Sequence, residues 1–310
     1  MDYSVTHVTR FEYQGPVHES TMEVRLAPRN DGRQEVQSFE LTTDPAAAIF
    51  RYADPVGNDV HHFDIVPPHQ QLIVQAQMRV RTSPAPSLPD RLEPPAWDTL
   101  DRLRADGQLW DSFEPSPRVP VSPAVRAFTE ACGLERGSDP LTCFRRIVSV
   151  IHSELVYAPE STTVDTPIEV ALEARRGVCQ DFAHIALAVA RAQGIPCRYV
   201  SGHLAPLSEQ RGDQNLVTHA WVEAWLPGLE WTSLDPTHDS IAGERYIRVA
   251  VGRDYGDAAP TRGVFRGGPA GSVSVFVRVE QGSGVASAAE VMFPPPRVTP
   301  VSPQRVTWDQ

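Results

Sequence analysis

The chain opens on an alternation of period two. In "YSVTHVTRFEY" the side chains of Tyr3, Val5, His7, Thr9, Phe11 and Tyr13 fall on one face, and Ser4, Thr6, Val8, Arg10 and Glu12 on the other. This is a half-buried strand pattern, because successive side chains of extended backbone point to opposite faces. "TMEVRLAPR", "VQSFELTTDP", "IFRYADPVGNDVHHFDIVPP" and "QLIVQAQMRVRT" continue the strand rhythm, with Asp, Pro, Gly and Asn between runs. The rhythm predicts a small all-β sandwich domain over residues 1–82.

From Ser83 the alternation stops. Residues 83–122 are rich in Pro and read as an extended connector with a short helix near Trp97 to Arg104. Residues 123–280 then alternate helix and strand. "SPAVRAFTEACG" and "DPLTCFRRIVSVIHSELVY" carry apolar residues at helical spacing. "TPIEVALEARRG" presents a capping box from Thr166 and Glu169, Pro167 at the first helical position, and Gly177 as a closing glycine. The next helix starts at Cys179 and buries most of its girth through Ile185, Leu187, Ala188, Val189 and Ala192, until Gly194 and Pro196 end it. The strands "CRYVSGHL", "VTHAWVEAWL" and "EWTSLDP" follow, so the expected class is α+β, a helix on an antiparallel sheet. "GRDYGDAAPTRGVFRGG" reads as a loop, "SVSVFVRVE" as a strand of the same core, and residues 281–310 as a flexible tail.

Charge and composition narrow the classes. Net charge is −11, and all 28 basic residues are Arg, with no Lys. An acidic chain without basic blocks is a poor binder of nucleic acid phosphates. It also offers no lysine amine of its own as an acyl acceptor. No run reaches the roughly 18 apolar residues of a membrane span, and the first residues lack a secretory pattern, so a cytoplasmic protein is expected. None of the four cysteines forms C-x-x-C and no H-E-x-x-H occurs; neither a metal nor a cofactor is indicated. His61 and His62 point to opposite faces of a strand, which is poor geometry for one ion.

The candidate chemistry starts at "RRGVCQDFAH". Cys179 sits at a helix start, where unpaired N–H groups and the macrodipole stabilise a thiolate. A cysteine there is equally a small buried hydrophobe. A nucleophile also needs a base and an orienting group. His219 lies in "THAWVEAW", where His219, Trp221, Glu223 and Trp225 share one strand face and Ala220, Val222, Ala224 and Leu226 the other, core-like one. Asp235 follows in "EWTSLDPT", on a strand that a hairpin through "PGLE" returns alongside His219. A carboxylate there fixes the imidazole tautomer and supports imidazolium.

The segments "GVCQDFAH", "THAWVEAWLPGLEWTSLDPT" and "VGRDYGDAAPTRGVFRGG" resemble the bacterial branch of the transglutaminase-like, papain-like superfamily, and the first 80 residues resemble its N-terminal β domain. The resemblance implies a Cys179–His219–Asp235 triad on a Cys helix packed against an antiparallel sheet. It also implies cysteine peptidase or amidase chemistry through a thioester, a peptide or protein substrate, and peptide-ligase-like proteins as neighbours. Amine transfer, as in a transglutaminase, and a non-catalytic scaffold are the alternatives, since one core serves several ends. The Cys179 N–H is the first expected oxyanion donor. Tyr157 and Gln180 are candidates for the second, each with an ordinary structural reading beside it. Asp181 and His184 share a helix face near Cys179, tuning the thiolate, lining the cleft or forming an ordinary surface pair. Trp221 either walls an acyl pocket or packs.

Overall fold

The computed structural model describes residues 1–206, 218–269 and 271–282. In chain order the strands β1 (Asp2–Val24), β2 (Gln34–Asp44), β3 (Phe50–Ala53), β4 (Asp59–Ile65) and β5 (His69–Thr82) precede the helices α1 (Ala96–Ala105), α2 (Trp110–Phe113), α3 (Pro123–Ala131) and α4 (Pro140–Glu154). Then come β6 (Val156–Tyr157), α5 (Ile168–Ala174), β7 (Arg176–Gly177) and α6 (Cys179–Ala192). The strands β8 (Cys197–Leu204), β9 (His219–Leu226), β10 (Glu230–Asp235), β11 (Ser240–Ile241) and β12 (Tyr246–Gly252) are followed by α7 (Tyr255–Ala258), β13 (Thr261–Gly267) and β14 (Ser272–Gln281). Two compact units result: Met1–Thr82 with Ala205–Thr218 and Pro260–Gln310, and Ser83–Leu204 with His219–Ala259.

The first unit is all β, and its strands join one seven-stranded antiparallel sheet, ordered β2-β5-β1-β4-β3 with β13 and β14 also on β1. The two strands expected at residues 3–13 and 21–29 are largely one: β1 runs through, and its register against β5 slips between Glu12 and Val17, around Gly15 and Pro16. Tyr3 to Glu12 pair with β14, and Val17 to Val24 with β13. The sheet's buried side chains include Val5, Phe63, Leu72, Val74 and Val80.

These pairings correct the expected 123–280 core. "SVSVFVRVE" is a strand, but as β14 it belongs to the β1 sheet, so the second unit ends at Ala259. Period-two alternation announces a strand without naming its partner. "TRGVFRG", expected as loop, is β13; it is exposed along most of its length and so carries no apolar alternation. Gly263 is favoured there, because a Cβ would stand 2.7 Å from the Thr21 carbonyl oxygen. The expected tail, residues 281–310, lies outside the described residues from 283 onward.

The second unit takes in residues 83–122, which are packed structure rather than a connector. Leu100, Phe113 and Val119 are fully buried. Asp139 ties this segment to α4: its carboxylate accepts the N–H groups of Leu141 and Thr142 as an N-cap and that of Leu92, each at 3.1 Å. At the centre α6 buries Ala183, Ile185, Ala186, Leu187 and Val189 completely. It packs against Phe144, Ile147 and Ile151 of α4 and Ala220, Val222 and Ala224 of β9. Alanines on both surfaces let helix and strand approach closely, while each large buried side chain contributes about 1.5–3 kcal/mol. The sheet beneath is antiparallel, ordered β11-β10-β9-β8-β12.

The expected capping box at α5 is absent. Pro167 is the N-cap, and the Thr166 hydroxyl instead accepts the Thr163 N–H at 2.9 Å. The helix closes on Arg175 in the left-handed region, with φ 51°, not on Gly177. Gly177 has a different duty, since a Cβ there would lie 2.7 Å from the Asp181 carboxylate folding back over it.

Gly202 of β8 pairs with His219 and Arg248. A Cβ there would overlap the Ile247 carbonyl oxygen and stand 2.6 Å from the Trp221 ring. Gly202→Ala is therefore expected to destabilise the fold by about 1–3 kcal/mol, as overpacking does. Thermal denaturation checks this, and an unchanged midpoint would show that the strands have room.

Candidate active site

Cys179 is the first residue of α6, half-buried, with a free thiol. Two features hold the helix start. The Asp181 carboxylate accepts the Val178 N–H at 2.8 Å and the Thr162 hydroxyl at 2.5 Å. Val178, the N-cap, has no side-chain acceptor, so only this half of a capping box is present. The N–H groups of the first turn point toward the end where the thiol sits, and that of Asp181 is bonded to the Val178 carbonyl at 2.9 Å.

His219 begins β9 and Asp235 ends β10. The register that sets Leu234 opposite Val222 brings them together. His219 Nε2 donates to Asp235 Oδ2 at 2.8 Å, and His219 also interacts electrostatically with Cys179. Because Nε2 is occupied, Nδ1 is the nitrogen left for the thiol. Burial opposes charge on His219, but the hydrogen bond to Asp235 and the interaction with Cys179, with the charges of both, outweigh it and raise His219 to about 10. Burial alone would raise the Asp235 carboxyl; its bonds from His219 and His238 hold it well below the carboxylate range. The site is thus arranged to hold an imidazolium on a buried carboxylate.

Asp235 has further donors that sequence reasoning missed. His238 Nδ1 donates to Oδ2 at 2.7 Å, the Tyr246 hydroxyl to the same oxygen at 2.8 Å, and the Thr237 N–H to Oδ1 at 2.8 Å. His238 follows Asp235 by three residues in "DPTHD", a spacing that was its one available signal. Tyr246 comes from β12, two strands removed in the chain, and had none. His219, Asp235 and His238 put three metal-ligating atoms within 4.8 Å of one another. Oδ2 already accepts three hydrogens, so the cluster is built as a hydrogen-bonded hub.

The other expected site residues divide. Tyr157 is 46% exposed, on β6, which pairs with β7 just before Cys179. Burial raises its hydroxyl, and so does its electrostatic interaction with Cys179. Gln180 is buried and donates to the Val164 carbonyl at 3.2 Å. Asp181 is a buried helix-start ligand rather than a member of a surface pair. His184 is buried against Tyr199 and accepts the Tyr255 N–H at 3.1 Å; burial pushes it down to about 3, and it lines no open cleft. Trp221 is 0% exposed behind His219, packed with Val200, Val251 and Tyr246, so it backs the site and walls no pocket. The helical and strand periods placed these residues on faces correctly; they could not show that the second face is covered too. Glu223, beside Trp221, is covered by Arg198 and Arg248 at 2.7 and 2.9 Å, and their charges overcome burial to hold it at about 2.

Comparison with known proteins agrees with this architecture. Residues 3–81 match the bacterial transglutaminase-like N-terminal region, and residues 131–236 the transglutaminase-like superfamily. An uncharacterized protein of Mycobacterium leprae is 35% identical over 277 residues, covering 89% of this chain and 97% of that one. The chain belongs to the transglutaminase-like superfamily. A relative from Mycobacterium tuberculosis, also uncharacterized, is 36% identical over 84% of this chain and 87% of its own. A Pseudomonas aeruginosa protein-glutamine gamma-glutamyltransferase is 36% identical over 100 residues, 30% of this chain and 15% of that protein. A solved structure from Cytophaga hutchinsonii, described as a candidate cysteine protease, shares the fold. Its TM-score is 0.67, with 19% identity over 92% of each chain.

The raised His219 gives a pH signature. A base held above its usual 6.5 adds stability below that value and loses it as pH climbs toward about 10. Asp235→Asn removes the charged partner, so at pH 6 it should cost roughly 1.5–3 kcal/mol, the worth of a charge-assisted hydrogen bond. The deficit should shrink between pH 6.5 and 10. Urea unfolding at pH 6, 8 and 10 measures it, and a constant deficit would contradict the pairing.

Proposed function

We propose that the protein is a cysteine-dependent hydrolase of peptide or amide bonds, with Cys179 as nucleophile, His219 as acid and base, and Asp235 as its orienting carboxylate. The observation that carries this reading is His219 bonded to buried Asp235 at 2.8 Å and interacting electrostatically with the half-exposed Cys179 thiol. A scaffold that had lost catalysis would have no use for an imidazole held between the two.

The thiolate sulfur adds to the carbonyl carbon, and negative charge moves to the carbonyl oxygen. The Cys179 N–H at the helix start is positioned to stabilise it, and the half-exposed Tyr157 hydroxyl is the second donor in this reading, since Gln180 is engaged with Val164. As the C–N bond breaks, His219 gives its Nδ1 proton to the departing amine, leaving a thioester. Water loses a proton to His219 as it adds to the thioester, the C–S bond breaks, and the acid leaves. The thiolate and imidazolium are restored.

Water is favoured as acceptor because it needs no binding site beyond the one described. Transfer to an amine is the second reading, supported by the Pseudomonas aeruginosa relative named protein-glutamine gamma-glutamyltransferase. With no lysine in this chain, its amine would come from another molecule.

Iodoacetamide is expected to label Cys179 ahead of Cys132, Cys143 and Cys197, and Cys179→Ser to abolish release of free acid from an amide or peptide library. Undiminished turnover in that variant would sink the triad. A fluorescent primary amine offered with a glutamine-containing peptide separates the acceptors. Free acid should form faster than amine adduct, and the reverse order selects the transferase.

A further inference from the structure

Two histidines share one oxygen of Asp235. His219 reaches Oδ2 from β9 and His238 from the turn after β10, at 2.8 and 2.7 Å. Their rings lie 5.2 Å apart. Their surroundings differ: the His219 side chain is 10% exposed and that of His238 50%. One ring works in a dry site while the other meets water.

Donors on one acceptor compete for its charge. Tyr246 and the Thr237 N–H keep fixed charge in this competition. A histidine is different, because its charge can change within the physiological pH range. A charged His238 would draw on Asp235 and repel the neighbouring His219 imidazolium. Asp235 and His238 meet at the Nε2 side of His219, which leaves Nδ1 for Cys179, so the thiolate gains less attraction than the imidazolium suffers repulsion. The balance moves toward thiol and neutral imidazole.

We infer that His238 is a positioning residue that makes the reactivity of the Cys179–His219 pair respond to acid, through the Asp235 oxygen that both histidines share. The inference rests on the triad reading but needs no substrate. Among the described residues, the groups facing His238 are few. They are Asp235, His219 from β9 and the Tyr246 hydroxyl from β12, with Arg245 acting on Tyr246. From α4 come His152, whose Nδ1 donates to the Thr237 carbonyl at 3.0 Å, and Ser149, which donates to Asp239 at 3.0 Å. Among the described residues, His152 is the other histidine able to imitate the effect.

The test is the rate of Cys179 alkylation by iodoacetamide from pH 4 to 9, read by peptide mapping. It compares wild type, His238→Asn, His238→Ala and His152→Gln. Asparagine keeps a short neutral donor toward Asp235 and takes no charge. In wild type the rate should rise about three- to tenfold in a step between pH 5 and 8, the size of one pKa unit or less of altered pairing. His238→Asn and His238→Ala should lack the step and react faster than wild type at pH 5, and His152→Gln should keep it. Superimposable profiles for wild type and His238→Asn would overturn the inference, as would loss of the step in His152→Gln. If the variants fold poorly, histidine NMR on the wild-type protein decides: the His219 ring signals should shift between pH 5 and 8, and static signals refute the link. Alkylation that follows the expected pattern without amide turnover would retire the hydrolase reading alone. A Cys179 unreactive at every pH would retire both.

Discussion

A buried carboxylate organises this protein. Asp235 is fully buried, and an isolated charge there would cost several kcal/mol. It is retained because four donors converge on it: a ring from β9, a hydroxyl from β12, and a ring and an N–H from the turn that follows its own strand. Those donors require three strands of one sheet to be in register, and Asp235 in return sets which nitrogen of His219 is free for Cys179. The packing of the sheet and the ionisation of the site are thus one constraint.

The helix that carries Cys179 meets a second demand. Its Ala-rich body is the interior of the unit, so its first residue has little freedom to shift. Arg175 in a left-handed turn, Gly177 beneath the Asp181 carboxylate, and Asp181 on the Val178 N–H all serve to aim that first residue. Several side chains with catalytic chemistry are spent on this support. Asp181 and His184 bond backbone N–H groups, and Trp221 fills the space behind His219. A titratable or aromatic side chain near a nucleophile is as often its foundation as its partner.

The sites most legible from sequence were those with local signals. Cys179 after Gly177 and before an apolar helix, His219 at the head of an alternating strand and Asp235 before Pro236 could each be picked out, and the short hairpin between the last two implied their meeting. Tyr246 could not be found, because nothing in "GERYIRV" says that its hydroxyl turns toward Asp235. Nor could the burial of Glu223: a glutamate alternating with tryptophans reads as an outward face until Arg198 and Arg248 cover it.

The same division holds for the fold. Alternation, caps and breakers determined most of the strands and the principal helices, because those signals come from backbone geometry within a few residues. Which strand joins which sheet was decided only in three dimensions. β14 alternates like a strand of the preceding core, yet it pairs with β1 from the opposite end of the chain. β13 carries no alternation and is a strand only because β1 offers it hydrogen bonds. Sequence therefore determined the triad candidates and the α+β class. The tertiary structure alone decided the partners of Asp235, since hydrogen bonds between distant residues depend on register that no local pattern encodes.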